Sequence, residues 1–206
     1  MPHPAPRAVI FDLDGVLYDF RPSERARYLS EITGLPAERI AAVFRSPFEA
    51  AAESGAYTSG EDYLAAFNRE LGSTVTRAEW TEARRRAMRP HEEVLRLVAE
   101  LEPARVVGML TNNGPLLKDV LPELAPEVTR LLGAHAWVSF EFGARKPEPV
   151  IFRRLAERLL LPPASILFVD DAAANCEAAR AAGLAALHFE RPETSMRALR
   201  AVLSLP

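Results

Sequence analysis

Asp12 and Asp14 stand two residues apart, directly after the apolar run Ala8-Val9-Ile10-Phe11 and directly before Gly15. On extended backbone, residues i and i+2 project to the same side, so the two carboxylates would crowd one spot. Such a pair repels itself unless a metal cation lies between the two groups or one of them keeps its proton. Three more stretches carry groups able to join them: Thr111-Asn112-Asn113-Gly114, Lys146 within Gly143-Ala144-Arg145-Lys146-Pro147-Glu148-Pro149, and Asp170-Asp171. Carboxylates, a hydroxyl and an amide are hard oxygen donors, suited to Mg²⁺ and poor for zinc or copper. A carboxylate held beside bound Mg²⁺ can attack phosphorus and form an aspartyl-phosphate. A second carboxylate two residues on can protonate the leaving oxygen and then activate water. The phosphoryl in transit is anionic and needs cations around it. Lys146 offers a point charge, and the Thr111 hydroxyl can donate to a phosphate oxygen.

Each motif also has a plainer meaning. Asp-Gly and Thr-Asn-Asn-Gly are turn formers, an isolated lysine is usually a solvated charge, and Asp170-Asp171 could cap a helix. Their placement is what sets them apart. Ala8–Phe11 is a continuous apolar run of the kind buried on both faces of a parallel sheet. Arg105–Leu110, Ala136–Phe140, Ser165–Val169 and Leu184–Phe189 read as four more strands. Helical patterns at His91–Leu101, Pro115–Leu124, Glu148–Leu160, Asn175–Ala182 and Thr194–Leu203 alternate with them. That rhythm predicts right-handed βαβ units and an α/β, doubly wound, Rossmann-like parallel sheet of five strands. In such a sheet the carboxyl ends of all strands share one edge, where ligands bind. Asp12-Asp14, Thr111-Asn112 and Asp170-Asp171 therefore converge.

One segment breaks the alternation. From Pro22 to Met88 there is no strand signal. Helices are expected at Arg25–Ile32, Pro36–Phe44, Pro47–Glu53, from Ser59 or Gly60 to Gly72, and from a Thr76/Glu79 capping box through Trp80–Met88. The expected organisation is a core at 1–18 and 89–206 and an inserted helical cap at 19–88. Phe20, Arg21, Arg45, Phe48, Tyr57 and Asn113 are candidates to line the site from the cap side, and an arginine there could meet a second anionic group of a substrate. The joints would lie at Asp19–Pro22 and Arg89-Pro90.

Composition narrows the class. The chain of 206 residues is 49% hydrophobic and 26% charged, as ordinary globular domains are. A net charge of -3 gives no electrostatic footprint for nucleic acid or an anionic membrane. Cys176 is the single cysteine, which excludes an intrachain disulfide and a Cys-rich zinc site. The proline-rich start, Met1-Pro2-His3-Pro4-Ala5-Pro6, has no signal-peptide pattern, and no apolar stretch approaches the length of a membrane span. A cytoplasmic protein is expected.

The four motifs together resemble the haloacid dehalogenase superfamily of hydrolases. Phe11-Asp12-Leu13-Asp14-Gly15-Val16, Leu110-Thr111-Asn112, Arg145-Lys146-Pro147-Glu148-Pro149 and Val169-Asp170-Asp171 with Asn175 occur in that family's order and spacing. The resemblance implies Asp12 as nucleophile and Mg²⁺ ligand, and Asp14 as acid/base that also meets Mg²⁺ through its carbonyl. It implies Thr111, Asn112 and Lys146 around the phosphate, and Asp170 with Asp171 as anchors of the metal. The insert looks like the family's C1-type cap. Arg89–Phe152 looks most like the branch with sugar-phosphate phosphatases and the phosphatase domain of epoxide hydrolases. The implied activity is Mg²⁺-dependent hydrolysis of a small phosphorylated metabolite. A phosphomutase, a 2-haloacid dehalogenase and a non-catalytic binding or regulatory module are the alternatives on the same fold. Members that cleave carbon–halogen bonds generally lack the aspartate found here at position 14.

Overall fold

The structure, a computed structural model, describes residues 5–101 and 105–205; the proline-rich start at 1–4 lies outside them. Seven strands occur among these residues: β1 (Ala8–Phe11), β2 (Tyr18–Phe20), β3 (Met88–Pro90), β4 (Val106–Thr111), β5 (Ala136–Val138), β6 (Ile166–Asp170) and β7 (Ala185–His188). Five form one sheet in the order β5-β4-β1-β6-β7, parallel throughout. β1 is central, with Ala8 opposite Val106 on one side and Ile166 on the other.

The apolar runs explain the layering. Along β1, Val9 and Phe11 enter one hydrophobic cluster while Ala8 and Ile10 enter a second, as period-two alternation requires. Leu167 and Val169 of β6 face the first cluster, and Ile166 and Phe168 the second. The first face is covered by α6 (Glu92–Leu101), α7 (Pro115–Leu124), α8 (Pro126–Leu132) and α11 (Pro192–Leu203). The second is covered by α9 (Pro149–Leu159) and α10 (Ala173–Ala181). This is a doubly wound α/β sheet, with helices on both faces of parallel strands.

Between β2 and β3 run five helices: α1 (Pro22–Thr33), α2 (Ala37–Val43), α3 (Pro47–Glu53), α4 (Gly60–Leu71) and α5 (Arg77–Ala87). Their ends are written in the sequence. The Ser59 hydroxyl accepts the Asp62 N–H, Gly72 closes α4 in the left-handed conformation, and Thr76 and Glu79 form a reciprocal capping box on α5. An aromatic group of Phe44, Phe48, Tyr57, Tyr63, Phe67 and Trp80 makes the interior of this unit. Glycine allows its close seating on the sheet domain: a Cβ on Gly60 would lie 3.0 Å from the Leu116 Cα of α7.

The structure departs from the sequence expectations in three places. β2 and β3 pair antiparallel, Tyr18 with Pro90 and Phe20 with Met88, where the sequence suggests only the joints of the insert. Met88 consequently begins a strand rather than ending a helix. The strand expected at 136–140 stops at Val138, because the Glu141 carboxylate accepts the Val138 N–H at 2.7 Å and turns Ser139–Phe142 into a 3₁₀ helix. α8 follows α7 almost at once, started by Pro126 at its first position, and buries Val128, Leu131 and Leu132.

Candidate active site

The chain leaves β1 at Phe11 and turns sharply. The Gly15 N–H donates to the Tyr18 carbonyl at 2.7 Å, and the Tyr18 N–H to the Leu13 carbonyl at 2.8 Å. Asp12 and Asp14 therefore do not project side by side from a strand; the turn sends them to different neighbours, although both line one cavity of about 300 Å³. Asp12 is buried and its Oδ1 accepts the Leu13 N–H at 2.8 Å. Gly15 has φ +83, and a Cβ there would stand 2.3 Å from an Asp171 carboxylate oxygen. Only glycine lets these two loops approach so closely.

Lys146 joins the acidic groups. It is 1% exposed, and its Nζ lies 3.0 Å from Asp12 Oδ1 and 2.6 Å from Asp170 Oδ2. Burial works against its ammonium, but Asp12 and Asp170 outweigh burial and hold its pKa above the ordinary lysine value. Asp170, at the end of β6, is wholly buried; its Oδ1 accepts the Ala172 N–H and the Asn175 amide, each at 2.9 Å. Asp171, the next residue, is exposed. Its carboxyl is raised, by burial of its inner side and then by Asp170. The Asp12 carboxyl is pushed up to about 8, chiefly by burial, with Lys146 opposing and Asp170 and Asp14 adding to the rise.

Oxygens of Asp12, Asp170 and Asp171 lie within 4.8 Å of one another. Three carboxylates thus face one ammonium. The donor set is hard oxygen, and the charge it leaves is what a divalent cation of the Mg²⁺ type would offset. Asp14's carboxylate stands outside this trio.

Thr111 ends β4 fully buried, its Oγ1 accepting from the Asn113 amide at 3.1 Å. Asn112 is turned to the lysine loop. Its Nδ2 donates to the Lys146 carbonyl at 2.8 Å and its Oδ1 accepts the Lys146 N–H at 2.9 Å. The amide of Asn112 therefore fixes the backbone from which Lys146 reaches inward.

Above the trio, a second cavity of about 250 Å³ lies beneath the five helices, walled by Phe20, Arg25, Arg45, Glu49, Arg84 and Asn113 among others. Phe20, Arg45 and Asn113, expected to line the site from the cap side, line this cavity. Arg21 is exposed and pairs with Asp19 at 2.9 Å, while Phe48 and Tyr57 pack into the aromatic interior. Arg84 was not anticipated. It is 1% exposed, and its Nη2 donates to both carboxylate oxygens of Asp14, at 2.7 and 2.6 Å. Its guanidinium also lies 4.1 Å from the centre of the Phe20 ring. Arg25 and Glu49 were missed as well, and both are buried. Glu53 of α3 meets Arg145 of the lysine loop at 2.6 Å. Helical spacing carried a signal: Trp80, Ala83, Arg84 and Ala87 share one face of α5, so Arg84 is the charge on the inward stripe.

Comparison with known proteins agrees with this geometry. A family model described as haloacid dehalogenase-like hydrolase matches residues 6–183. A phosphatase of Mycobacterium tuberculosis is 28% identical over 89% of this chain and 87% of its own length. A HAD-like family hydrolase of Porphyromonas gingivalis superposes with a TM-score of 0.80 at 23% identity, over 98% of this chain and 100% of that one. A HAD family enzyme of Bacteroides thetaiotaomicron, crystallised with magnesium and inorganic phosphate, superposes with a TM-score of 0.75 at 20% identity, over 88% and 93%. The chain belongs to the haloacid dehalogenase-like hydrolases.

Proposed function

We propose that the protein is a Mg²⁺-dependent phosphatase that hydrolyses a small phosphorylated metabolite through an aspartyl-phosphate on Asp12. The observation that carries this is the buried contact of Lys146 with both Asp12 and Asp170, at 3.0 and 2.6 Å. It sets a nucleophile, a fixed cation and a second carboxylate around one point at the floor of a cavity. A phosphatase among the relatives and a structural neighbour holding magnesium and phosphate support the same conclusion.

Asp12, Asp170 and Asp171 would hold the metal with their carboxylates and Asp14 with its main-chain carbonyl. The ion, when bound, supplies positive charge to the nucleophile and the phosphoryl group. The chain's own groups do the rest. Asp12 attacks phosphorus in line with the leaving oxygen. Lys146 offsets charge on the phosphoryl oxygens and orients Asp12, while the Thr111 hydroxyl donates to one of those oxygens. Asn112 acts on the phosphate through the lysine loop it pins. Asp14 gives a proton to the leaving oxygen, then takes one from the water that opens the aspartyl-phosphate. The helical unit at 19–88 serves as a cap, and Arg84 keeps Asp14 aimed from above. With the cap seated, bulk water is kept from the phosphoryl group.

The test is hydrolysis of p-nitrophenyl phosphate with added Mg²⁺ and with excess chelator, alongside Asp12→Asn. Activity should require Mg²⁺ and vanish in a folded Asp12→Asn protein. Activity unchanged by chelator removes the metal assignment, and a fully active variant removes Asp12 as nucleophile.

A further inference from the structure

We propose that Arg25 is a specificity-determining residue that receives a carboxylate of the substrate, so that the preferred substrates are small phosphomonoesters of hydroxy acids; this rests on the phosphatase reading above. Arg25 lies in the second turn of α1 and is 5% exposed. Its Nε and one Nη are buried without any hydrogen-bond partner. A buried guanidinium left without a carboxylate partner is costly. Arg84 and Arg145 also bury an Nε without a hydrogen bond, but each meets a carboxylate, Arg84 that of Asp14 and Arg145 that of Glu53.

The group is also held rigidly. Its guanidinium carbon lies 3.6 Å from the centre of the Phe44 ring and 4.6 Å from that of Trp80. A guanidinium packed against two aromatic rings loses little freedom when a ligand binds it. The cavity that Arg25 lines shares Asp14, Phe20, Pro22 and Asn112 with the cavity over Asp12 and Lys146. A ligand with its phosphoryl group at Asp12 therefore extends toward Arg25.

Charge favours a carboxylate over a second phosphate. With the Asp14–Arg84 and Glu53–Arg145 pairs closed, Arg25, Arg45 and Glu49 remain on the walls, which leaves one positive charge in excess when Glu49 is ionised. Glu49 is buried, and it accepts a hydrogen bond from the Tyr63 hydroxyl at 2.9 Å. Burial pushes its carboxyl up to about 7, against the pull of Arg25, so it neutralises Arg25 only in part near neutrality. A carboxylate monoanion matches that single charge through a charge-assisted hydrogen bond. A phosphate dianion would bring more charge than the walls offset.

The experiment is steady-state kinetics with Mg²⁺ on matched esters: phosphoglycolate against ethyl phosphate, 3-phosphoglycerate against glycerol 3-phosphate, and a three-carbon bisphosphate as a third arm. The wild-type protein should favour each acid over its neutral partner by about tenfold or more in kcat/KM, mainly through KM. Arg25→Gln should remove that preference while neutral esters stay within about threefold of wild type, and Arg25→Lys should restore part of it. A purely structural arginine, holding Phe44 and Trp80 together, would instead lower both ester classes alike; that result overturns the proposal. So does a wild-type protein that shows no preference for the acids, or one that prefers the bisphosphate. Should Arg25→Gln not fold, the wild-type pairs and Arg25→Lys decide. A wild-type protein that hydrolyses p-nitrophenyl phosphate but none of these esters overturns this proposal alone; one that hydrolyses neither overturns the phosphatase reading, and the proposal with it.

Discussion

Arg84 and Asp14, seventy residues apart in sequence, meet through a single nitrogen: Arg84 Nη2 lies 2.7 and 2.6 Å from the two oxygens of the Asp14 carboxylate. The arginine is buried and the aspartate partly open, at 2% and 23% of their side-chain surfaces. The contact runs between the inserted helices and the loop that carries Asp12. It couples the position of the helical unit to the aim of the residue assigned the proton. Arg84→Met should lower kcat by about 10- to 100-fold, the scale of a misaligned acid/base group. It should also lower stability by about 1–3 kcal/mol, because a charge-assisted contact is lost from a largely buried site. Kinetics and urea unfolding measure the two effects, and a variant of wild-type rate would detach Arg84 from the chemistry.

Asp14 itself separates two kinds of hydrolase on this fold. Asp14→Asn keeps an oxygen for Arg84 to bond but cannot pass a proton, so turnover of a phosphate ester should fall by about 10²-fold, with some loss of stability because buried Arg84 loses its counter-charge. Near-normal rates would point to leaving groups that need no acid, and halide release from 2-haloacids would then be the assay to run.

Gly15→Ala tests the seat of the metal. At φ +83 an L-residue is strained, and the new Cβ would lie 2.3 Å from the Asp171 carboxylate. Asp171 must swing away. The Mg²⁺ concentration giving half-maximal activity should rise by about tenfold or more, the usual cost of disturbing groups around a metal. An unchanged Mg²⁺ dependence would exclude Asp171 from the site.

Glu49 makes stability depend on pH. Its carboxyl moves from 4.5 to about 7, chiefly through burial, with Arg25 and the Tyr63 hydrogen bond opposing. The folded protein therefore holds this proton more tightly than the unfolded chain does. The associated stability is fully present below about 4.5 and is lost as pH rises through about 7. Glu49→Gln, which still accepts from Tyr63, removes that slope. By pH 8 the variant should gain on the order of 2 kcal/mol relative to its standing at pH 5. Urea midpoints of both proteins across this range provide the measurement, and parallel curves would rule out the assignment.

Much of this was legible in the sequence because parallel topology leaves little choice. Once Ala8–Phe11, Val106–Thr111 and Ile166–Asp170 are strands of one parallel sheet, Asp12, Thr111 and Asp170 must share an edge. Lys146 carried a weaker trace, being one of only two lysines in a chain that otherwise uses arginine. What escaped was set by tertiary contact. β2 and β3 are three residues each, too short for a period to show. Arg84 sits within Arg84-Arg85-Arg86, where composition suggests a solvated face. Arg85 and Arg86 do lie outward, paired with Glu82, and only helical phase marks Arg84 as the inward one. The different surroundings of Asp170 and Asp171 depend on which of two adjacent residues the strand end buries, and Lys146 meets the buried one from outside the strand.

The pairing of β2 with β3 has a consequence for how such molecules diversify. Tyr18 lies opposite Pro90 and Phe20 opposite Met88, so the insert departs and returns through two adjacent strands of a single ribbon. Its two ends are neighbours in space whatever lies between them. Segments of other lengths or folds can be grafted at that ribbon without altering the register of β1 against β4 and β6. Arg84 belongs to the insert and holds Asp14, so an exchanged segment must bring its own partner for that carboxylate.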